Sequence, residues 1–209
     1  MTKNDYIPYL LKRFRKISKF YDPITFILPD RLRKLPVALS GVTSKHKVID
    51  VCTGTGNLAI EFAKYATEVV GIDISPEMLK IAQSKNSNVK FIHMDATQLE
   101  FQDKLFDIAS ISTALHEMPF EVREKVLKEI VRITKQKVIV IDYTPPSNPI
   151  IRYLYTKIIS IYESKYFIEF VSNNLKKLIH YVGLEIILEK KVFGIFSIFV
   201  CQVKPLSKV

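Results

Sequence analysis

Three carboxylates and two glycines fall in an order that can cradle a small ligand. The run Val48-Ile49-Asp50-Val51-Cys52-Thr53-Gly54-Thr55-Gly56-Asn57-Leu58-Ala59 reads as a strand, a tight turn and the start of a helix. Glycines at 54 and 56 let the backbone approach a ligand where a Cβ would collide. Asp50 stands inside an otherwise apolar strand, and a buried carboxylate is costly unless it is paired. A ligand with positive charge would pair it, whereas a pyrophosphate would be repelled. Asp73 ends a second strand 19 residues past Gly54, where a carboxylate can take ribose hydroxyls. Met94-Asp95-Ala96-Thr97 ends a third strand with another acid, placed to accept an adenine amine. Acids over one crevice fit the rule that open α/β sheets bind ligands at the carboxyl ends of their strands. Plainer uses exist: Asp73 can cap the next helix and Asp95 can start a turn. Residues 54–59 also satisfy the dinucleotide fingerprint G-x-G-x-x-A, which by itself would admit nicotinamide enzymes.

His116 and Glu117 follow a fourth strand, where a base would meet an acceptor. Histidine titrates near neutrality and a glutamate can orient it. Glu117 could instead help cap the helix that begins near Pro119. Among the ten tyrosines, Tyr9, Tyr21, Tyr143, Tyr153, Tyr155, Tyr162 and Tyr166 cluster in the N-terminal cap and the insertion after the fifth strand. They could form an aromatic lid or simply pack helices onto the sheet. Tyr9, Tyr21 and Tyr143 are the candidates for contact with a substrate. The two cysteines, Cys52 and Cys201, have no motif spacing, so no metal site, disulfide scaffold or thiol mechanism is expected.

The elements that must position these groups alternate. Strands read at 48–51, 68–72, 89–93, 106–112 and 137–142. Helices read at 58–65, at 76–84 behind Ser75 as N-cap, and at 119–134. The last has Val122, Val126, Leu127, Ile130 and Ile133 on one face. Alternation of this kind predicts a parallel sheet with right-handed crossovers. After Asp142 come Pro145, Pro146 and Pro149, then two helical stretches at 150–163 and 167–181. Two final strands, 184–191 and 193–203, should pair as an antiparallel edge hairpin around Gly194. The 209 residues suit one domain. It would comprise a helical cap (1–40), a ligand-binding half (41–143) and substrate-side helices with edge strands (144–209).

Lys and Arg number 31 against 21 Asp and Glu, a net charge of +10. Such a balance fits nucleic acid, anionic lipid or an acidic substrate, or lysines that merely solvate a surface. Most are scattered, but residues 5–20 read as a basic amphipathic helix, with Lys12, Arg13, Arg15, Lys16 and Lys19 among Leu10, Leu11, Phe14, Ile17 and Phe20. That pattern suits a cap over a pocket and peripheral contact with a membrane or an amphiphilic substrate. No signal peptide or membrane span is read, and the cytoplasm is the expected compartment.

The order D-x-x-x-G-x-G, G-I-D-I-S, M-D-A and F-D-I resembles the class I methyltransferases that use S-adenosylmethionine (SAM). The resemblance implies a Rossmann-like, seven-stranded, mostly parallel sheet with an antiparallel C-terminal edge. It implies SAM as cofactor and S-adenosylhomocysteine as product. Asp50, Thr53, Gly54 and Gly56 would line the methionine part, Asp73 and Ile74 the ribose, and Asp95 and Ala96 the adenine. Ser112 would border the methionine tail and the substrate mouth, and Asp107 would be structural. A looser similarity is to the C-methyltransferases of ubiquinone and menaquinone biosynthesis. It rests on Phe14–Asp22 against F-x-x-I/V-A-x-x-Y-D, and on D-x-A-x-G-T-G. It rests also on Tyr181-Val182-Gly183-Leu184 and Gly194–Ile198. Asn57 replaces that family's usual acid, and Leu115-His116-Glu117-Met118-Pro119 replaces its L-R-N segment. The implied acceptor is a small, apolar or aromatic molecule, methylated at carbon or oxygen. No N/D-P-P-Y motif for base amines and no cysteine for cytosine C5 chemistry is present. An RNA methyltransferase, favoured by charge alone, and a non-catalytic SAM-binding module are the alternatives.

Overall fold

The structure, a computed structural model, describes residues 6–16, 31–85 and 88–204. Tyr21, Pro23, Pro29 and most of the Phe14–Asp22 pattern lie outside the described residues. One helix, α1, covers 6–16, and α2 follows at Arg31–Ser40. Then β1 (Lys47–Val51), α3 (Asn57–Phe62), β2 (Glu68–Asp73), α4 (Pro76–Ser84) and β3 (Val89–His93) alternate. Next are β4 (Phe106–Ser112), a 3-10 turn at Leu115–Glu117, α5 (Phe120–Ile133) and β5 (Thr134–Tyr143). The chain closes with α6 (Pro149–Ile159), α7 (Phe167–Ser172), α8 (Leu175–Tyr181), β6 (Leu184–Val192) and β7 (Phe196–Val203).

The seven strands make one sheet in the order β3-β2-β1-β4-β5-β7-β6. Strands β1 to β5 are parallel, and β7 runs antiparallel to both β5 and β6. The hairpin is therefore at the edge as expected, with β7 inside and β6 outermost. Order reverses between β1 and β4, which opens a crevice at their carboxyl ends. Side chains alternate across the sheet. Ile49 and Val51 face the layer of α1, α5, α7 and α8, whereas Val48 faces α2 and α3. The central strands are buried on both faces, which is why they read as unbroken apolar runs.

Local sequence explains most boundaries. The Ser75 hydroxyl accepts from the Met78 N–H and starts α4, with Pro76 at the first helical position. The expected helix over 167–181 is two helices. Asn173 leaves helical geometry, and the Asn174 side chain accepts from the Lys176 and Lys177 N–H groups, so a new cap begins α8. The stretch read as helical over 150–163 ends at Ile159. Strand β5 starts at Thr134, directly from α5, because Thr134 is already extended. Phe193 and Gly194, at the hairpin tip, both have positive φ, the geometry of a two-residue turn that matches strand twist.

Gly56 is under a packing constraint. Its φ is 80°, and a Cβ there would lie 2.6 Å from Cζ of Phe91 and 3.0 Å from Cβ of Ala82. Gly54, also at positive φ, has open space where its Cβ would be. Strain at φ > 0 and overpacking each cost on the order of 1–3 kcal/mol. Gly56→Ala should therefore lower unfolding stability by about 2–4 kcal/mol, and Phe91→Leu should recover part of the loss. A urea midpoint unchanged by Gly56→Ala would refute the packing argument.

Candidate active site

The crevice sits over the carboxyl ends of β1, β2, β3 and β4. Two adjoining cavities of about 40 and 50 Å³ share Tyr6, Leu10, Cys52, Asp73, Ile74 and Met118. The first continues past Met94, Asp95 and Ala96, and the second past Gly54, Ser112, Thr113 and Glu117. Helix α1 roofs both with Tyr6, Leu10 and Phe14, spaced four residues apart on one helical face. Ligand sites usually enclose roughly 300–1,000 Å³, so with α1 seated the crevice is nearly filled. Two residues other than glycine take left-handed backbone here, Cys52 (φ 57°) after β1 and Thr113 (φ 49°) after β4. Such strain persists where the surrounding structure enforces it, and it clusters at ligand sites.

Hydrogen bonds fix the turn. The Gly54 N–H donates to Asp73 Oδ2 and the Ser75 N–H to Asp73 Oδ1, each at 2.8 Å. Burial raises the Asp73 pKa against these backbone donors. The Lys85 ammonium donates to the Thr55 carbonyl and to Asn57 Oδ1, bracing the turn from α4. Asp50 is deeply buried and receives the Thr53 hydroxyl (2.7 Å) and the Ser110 hydroxyl (2.6 Å). Burial pushes its pKa up to about 6 in spite of those donors. Asp95 Oδ1 accepts from the backbone and hydroxyl of Thr97, forming a turn.

Beside the crevice lies a buried charge cluster. His116 Nδ1 is 2.7 Å from Asp142 Oδ1, and its Nε2 is 3.3 Å from Glu163 Oε2 and 3.8 Å from Glu117 Oε1. Asp142 Oδ2 also accepts the Leu115 N–H, and Ser164 donates to the His116 carbonyl. Burial works against a charged ring, but Asp142 and Glu163 prevail and raise the His116 pKa to about 10. His116, Glu117 and Glu163 offer ligand atoms within 4.8 Å of one another. Arg13 of α1 already meets the two glutamates: it donates to Glu117 Oε1 at 3.2 Å and lies 3.6 Å from Glu163 Oε2. Arg13 therefore adds a second positive group to this cluster, beside His116. Glu117 Oε2 is buried without a hydrogen-bond partner, and burial raises the Glu117 pKa. The Tyr143 hydroxyl donates to Glu163, and its ring lies edge-on to His116 at 4.8 Å. Arg123, fully buried, donates to the Leu115 and Met118 carbonyls and holds the 3-10 turn in place.

Residues 48–137 match the family described as a methyltransferase domain. Demethylmenaquinone methyltransferase of Staphylococcus aureus is 34% identical over 154 residues, 68% of this chain. Over these residues the chain is similar to SAM-dependent methyltransferases. The match spans 63% of the staphylococcal relative's own length. Two solved structures share the fold. A putative methyltransferase of Bacillus halodurans has TM-score 0.66 at 18% identity, covering 85% of this chain and all of that one. Magnesium protoporphyrin IX methyltransferase of Synechocystis, with bound S-adenosylhomocysteine, has TM-score 0.66 at 18% identity, covering 95% and 99%.

Within this chain the expected residues separate. Gly54, Asp73, Ile74, Asp95, Ala96, Ser112 and Glu117 line the crevice. Asp50, Thr53 and Gly56 are not among its lining residues; Asp50 is satisfied by two hydroxyls, one of them Thr53. His116 is not a lining residue either. Both its ring nitrogens face carboxylates, Asp142 and Glu163, which raise its pKa and favour the charged ring. Glu117 pairs with Arg13 and does not cap α5, whose N-cap Pro119 has no side-chain bond. Tyr9 packs edge-on to Tyr166 and accepts the Lys165 N–H, so Tyr6 takes the place expected of Tyr9 at the crevice. Tyr143 lines a different cavity, of about 310 Å³, with Arg152 and Lys176. Asp107 accepts the Lys47 N–H and pairs with Lys135, a structural role as expected. Asp142, Glu163 and Arg13 escaped sequence reading, although Asp142 ends a strand as visibly as Asp73 does.

The charge on His116 sets a pH dependence. Its folded pKa lies above the unfolded value of about 6.5, so its contribution to stability is complete below that value. The contribution disappears as pH rises through about 10. The stability gap between wild type and His116→Gln should thus narrow from pH 6.5 to 10 in urea titrations. A His116 ring that titrates near 6.5 by NMR would refute the clamp.

Proposed function

We propose that this protein transfers a methyl group from SAM to a small aromatic acceptor of the demethylmenaquinone kind. The observation that carries the cofactor reading is one crevice that gathers Gly54, Asp73, Ile74, Asp95 and Ala96 at the switch point. Those residues fit an adenosyl group. Asp73 retains lone pairs for ribose hydroxyls after its two backbone bonds, Ile74 and Ala96 offer apolar faces to adenine, and Asp95 offers an acceptor to its amine. Open space over Gly54 suits a ligand that runs close to the backbone. SAM, when bound, supplies an electrophilic methyl carbon on a sulfonium. The aromatic acceptor is supported by the 34% identity to the staphylococcal enzyme and by the apolar walls of Tyr6, Leu10, Met94, Met118, Val122 and Val126.

The chain's own residues then have two tasks. Tyr6, Leu10 and Phe14 of α1 exclude water and press an acceptor against the cofactor side. Admitting SAM requires α1 to lift, because the cavities beneath it are too small. Glu117 takes the proton that a phenol or an acidic ring carbon loses on methylation. Its Oε2 is unpaired, and burial makes it a stronger base than a solvated carboxylate. His116 and Arg13 hold that carboxylate in place and are positioning residues.

The test is turnover of SAM with a reduced, demethylated naphthoquinone by the purified protein. Glu117→Gln should lower kcat by about 10²–10⁴-fold and leave the SAM Kd unchanged. Asp73→Asn should weaken SAM binding by about tenfold or more, the scale of a charged hydrogen bond, as read by calorimetry. No SAM binding by the wild type would end the cofactor reading. Binding without turnover of any naphthoquinol would end the acceptor reading alone.

A further inference from the structure

Helix α6 wears its apolar side outward. Ile150, Ile151, Leu154 and Ile158 fall within about 100° of the helix circumference, and all are exposed, Ile150 at 71% and Ile158 at 57%. Of the helix, only Tyr155 is buried. The same surface continues into Ile161 (74%) and Tyr162 (75%). An amphipathic helix normally turns such a stripe to the core, and a contiguous exposed patch marks a contact site.

Charge identifies the partner. From Thr144 to Tyr162 the chain has Arg152 and Lys157 and no Asp or Glu. Lys157 holds its ammonium 5.3 Å above the Tyr153 ring. At its C-terminal end the patch meets α1, where Arg13 donates to the Tyr162 carbonyl. Lys12, Arg15 and Lys16 are exposed on that helix. Arg152 turns to the other side of α6, where it donates to the Val171 carbonyl, and Lys157 flanks the stripe. A second copy docking by two-fold symmetry would set Lys157 near its own counterpart, with no acid in the patch to answer it. Anionic headgroups answer it directly. Lysines snorkel and tyrosines settle at the level of headgroups. The 11 residues of α6 are too few to span a bilayer, and among the described residues no helix is long and apolar enough to cross one. We propose that the outer face of α6, with the basic side of α1 beside it, docks this protein onto the surface of an anionic lipid bilayer. Because α1 also roofs the crevice, docking would place the site's mouth at the membrane.

Co-sedimentation of the full chain with vesicles tests this without any methyl acceptor, so its outcome is separate from that of methyl transfer. The protein should pellet with phosphatidylglycerol–phosphatidylcholine vesicles and much less with phosphatidylcholine alone. The double variant Ile158→Glu/Ile161→Glu should reduce the bound fraction by about tenfold or more, with its thermal midpoint and SAM affinity unchanged. Lys157→Gln should shift binding to higher phosphatidylglycerol content. Absence of binding by the wild type, equal binding to neutral vesicles, or binding indifferent to Ile158→Glu/Ile161→Glu would each overturn the proposal. So would a wild-type dimer in sedimentation velocity that the double variant dissolves while neither form binds vesicles. That result would assign the face to a second copy.

Discussion

A histidine ring held between two carboxylates organises the region beside the crevice. His116 sits on the turn after β4, Asp142 is next to last in β5, and Glu163 follows α6. These segments are distant in the chain, and their shared charge brings them to one point. Removing either acid would strand a buried positive charge, and removing the ring would set buried carboxylates against one another. The remaining negative charge is met by Arg13, and Arg13 belongs to α1. A single buried cluster thus sets where the roof over the crevice can sit.

The proposed lifting of α1 to admit SAM would give that helix two settings. Seated, it satisfies Glu117 and Glu163 and fills the space above Asp73 and Ile74 with Tyr6 and Leu10. Lifted, it opens the crevice and leaves two acids short of a partner. Arg13 is half-buried, with 22% of its side chain exposed, so water would soften the loss of its two partners if α1 lifted as proposed. The arrangement separates binding from shielding: β1 and β2 hold one side of the crevice rigidly, and a helix outside the sheet closes the other. Backbone strain at Cys52 and Thr113 lies on the rigid side, where the hydrogen-bonded sheet can sustain it.

Surface and core divide the charge of the chain differently. Most of the excess of basic groups lies on the outside, while the carboxylates near the crevice are buried or nearly so, among them Asp50, Asp73, Glu117 and Asp142. A crevice lined by acids inside a basic protein attracts a cationic ligand locally while the whole particle is drawn to anionic surfaces. The two fields do not conflict, because buried charges act over short range and exposed ones are screened within about 10 Å.

The sequence alone determined what local chemistry can express. Alternating apolar runs predicted the sheet and its antiparallel edge, Ser75 announced a cap, and the spacing of Gly54, Asp73 and Asp95 announced one crevice. These features depend on residues near in the chain or on the periodicity of a single element. The tertiary structure decided which side chains face one another across elements. A Cβ at position 56 would meet the Phe91 ring, 35 residues along the chain, only because β3 packs beside the turn. Tyr6, and not Tyr9, reaches the crevice because the tilt of α1 selects one face of a helix on which both are plausible. His116 was legible as a titrating group, but its charge was not. That depends on Asp142 and Glu163, 26 and 47 residues away, since a pKa belongs to the dielectric and the neighbours of a group and neither is written in its position along the chain.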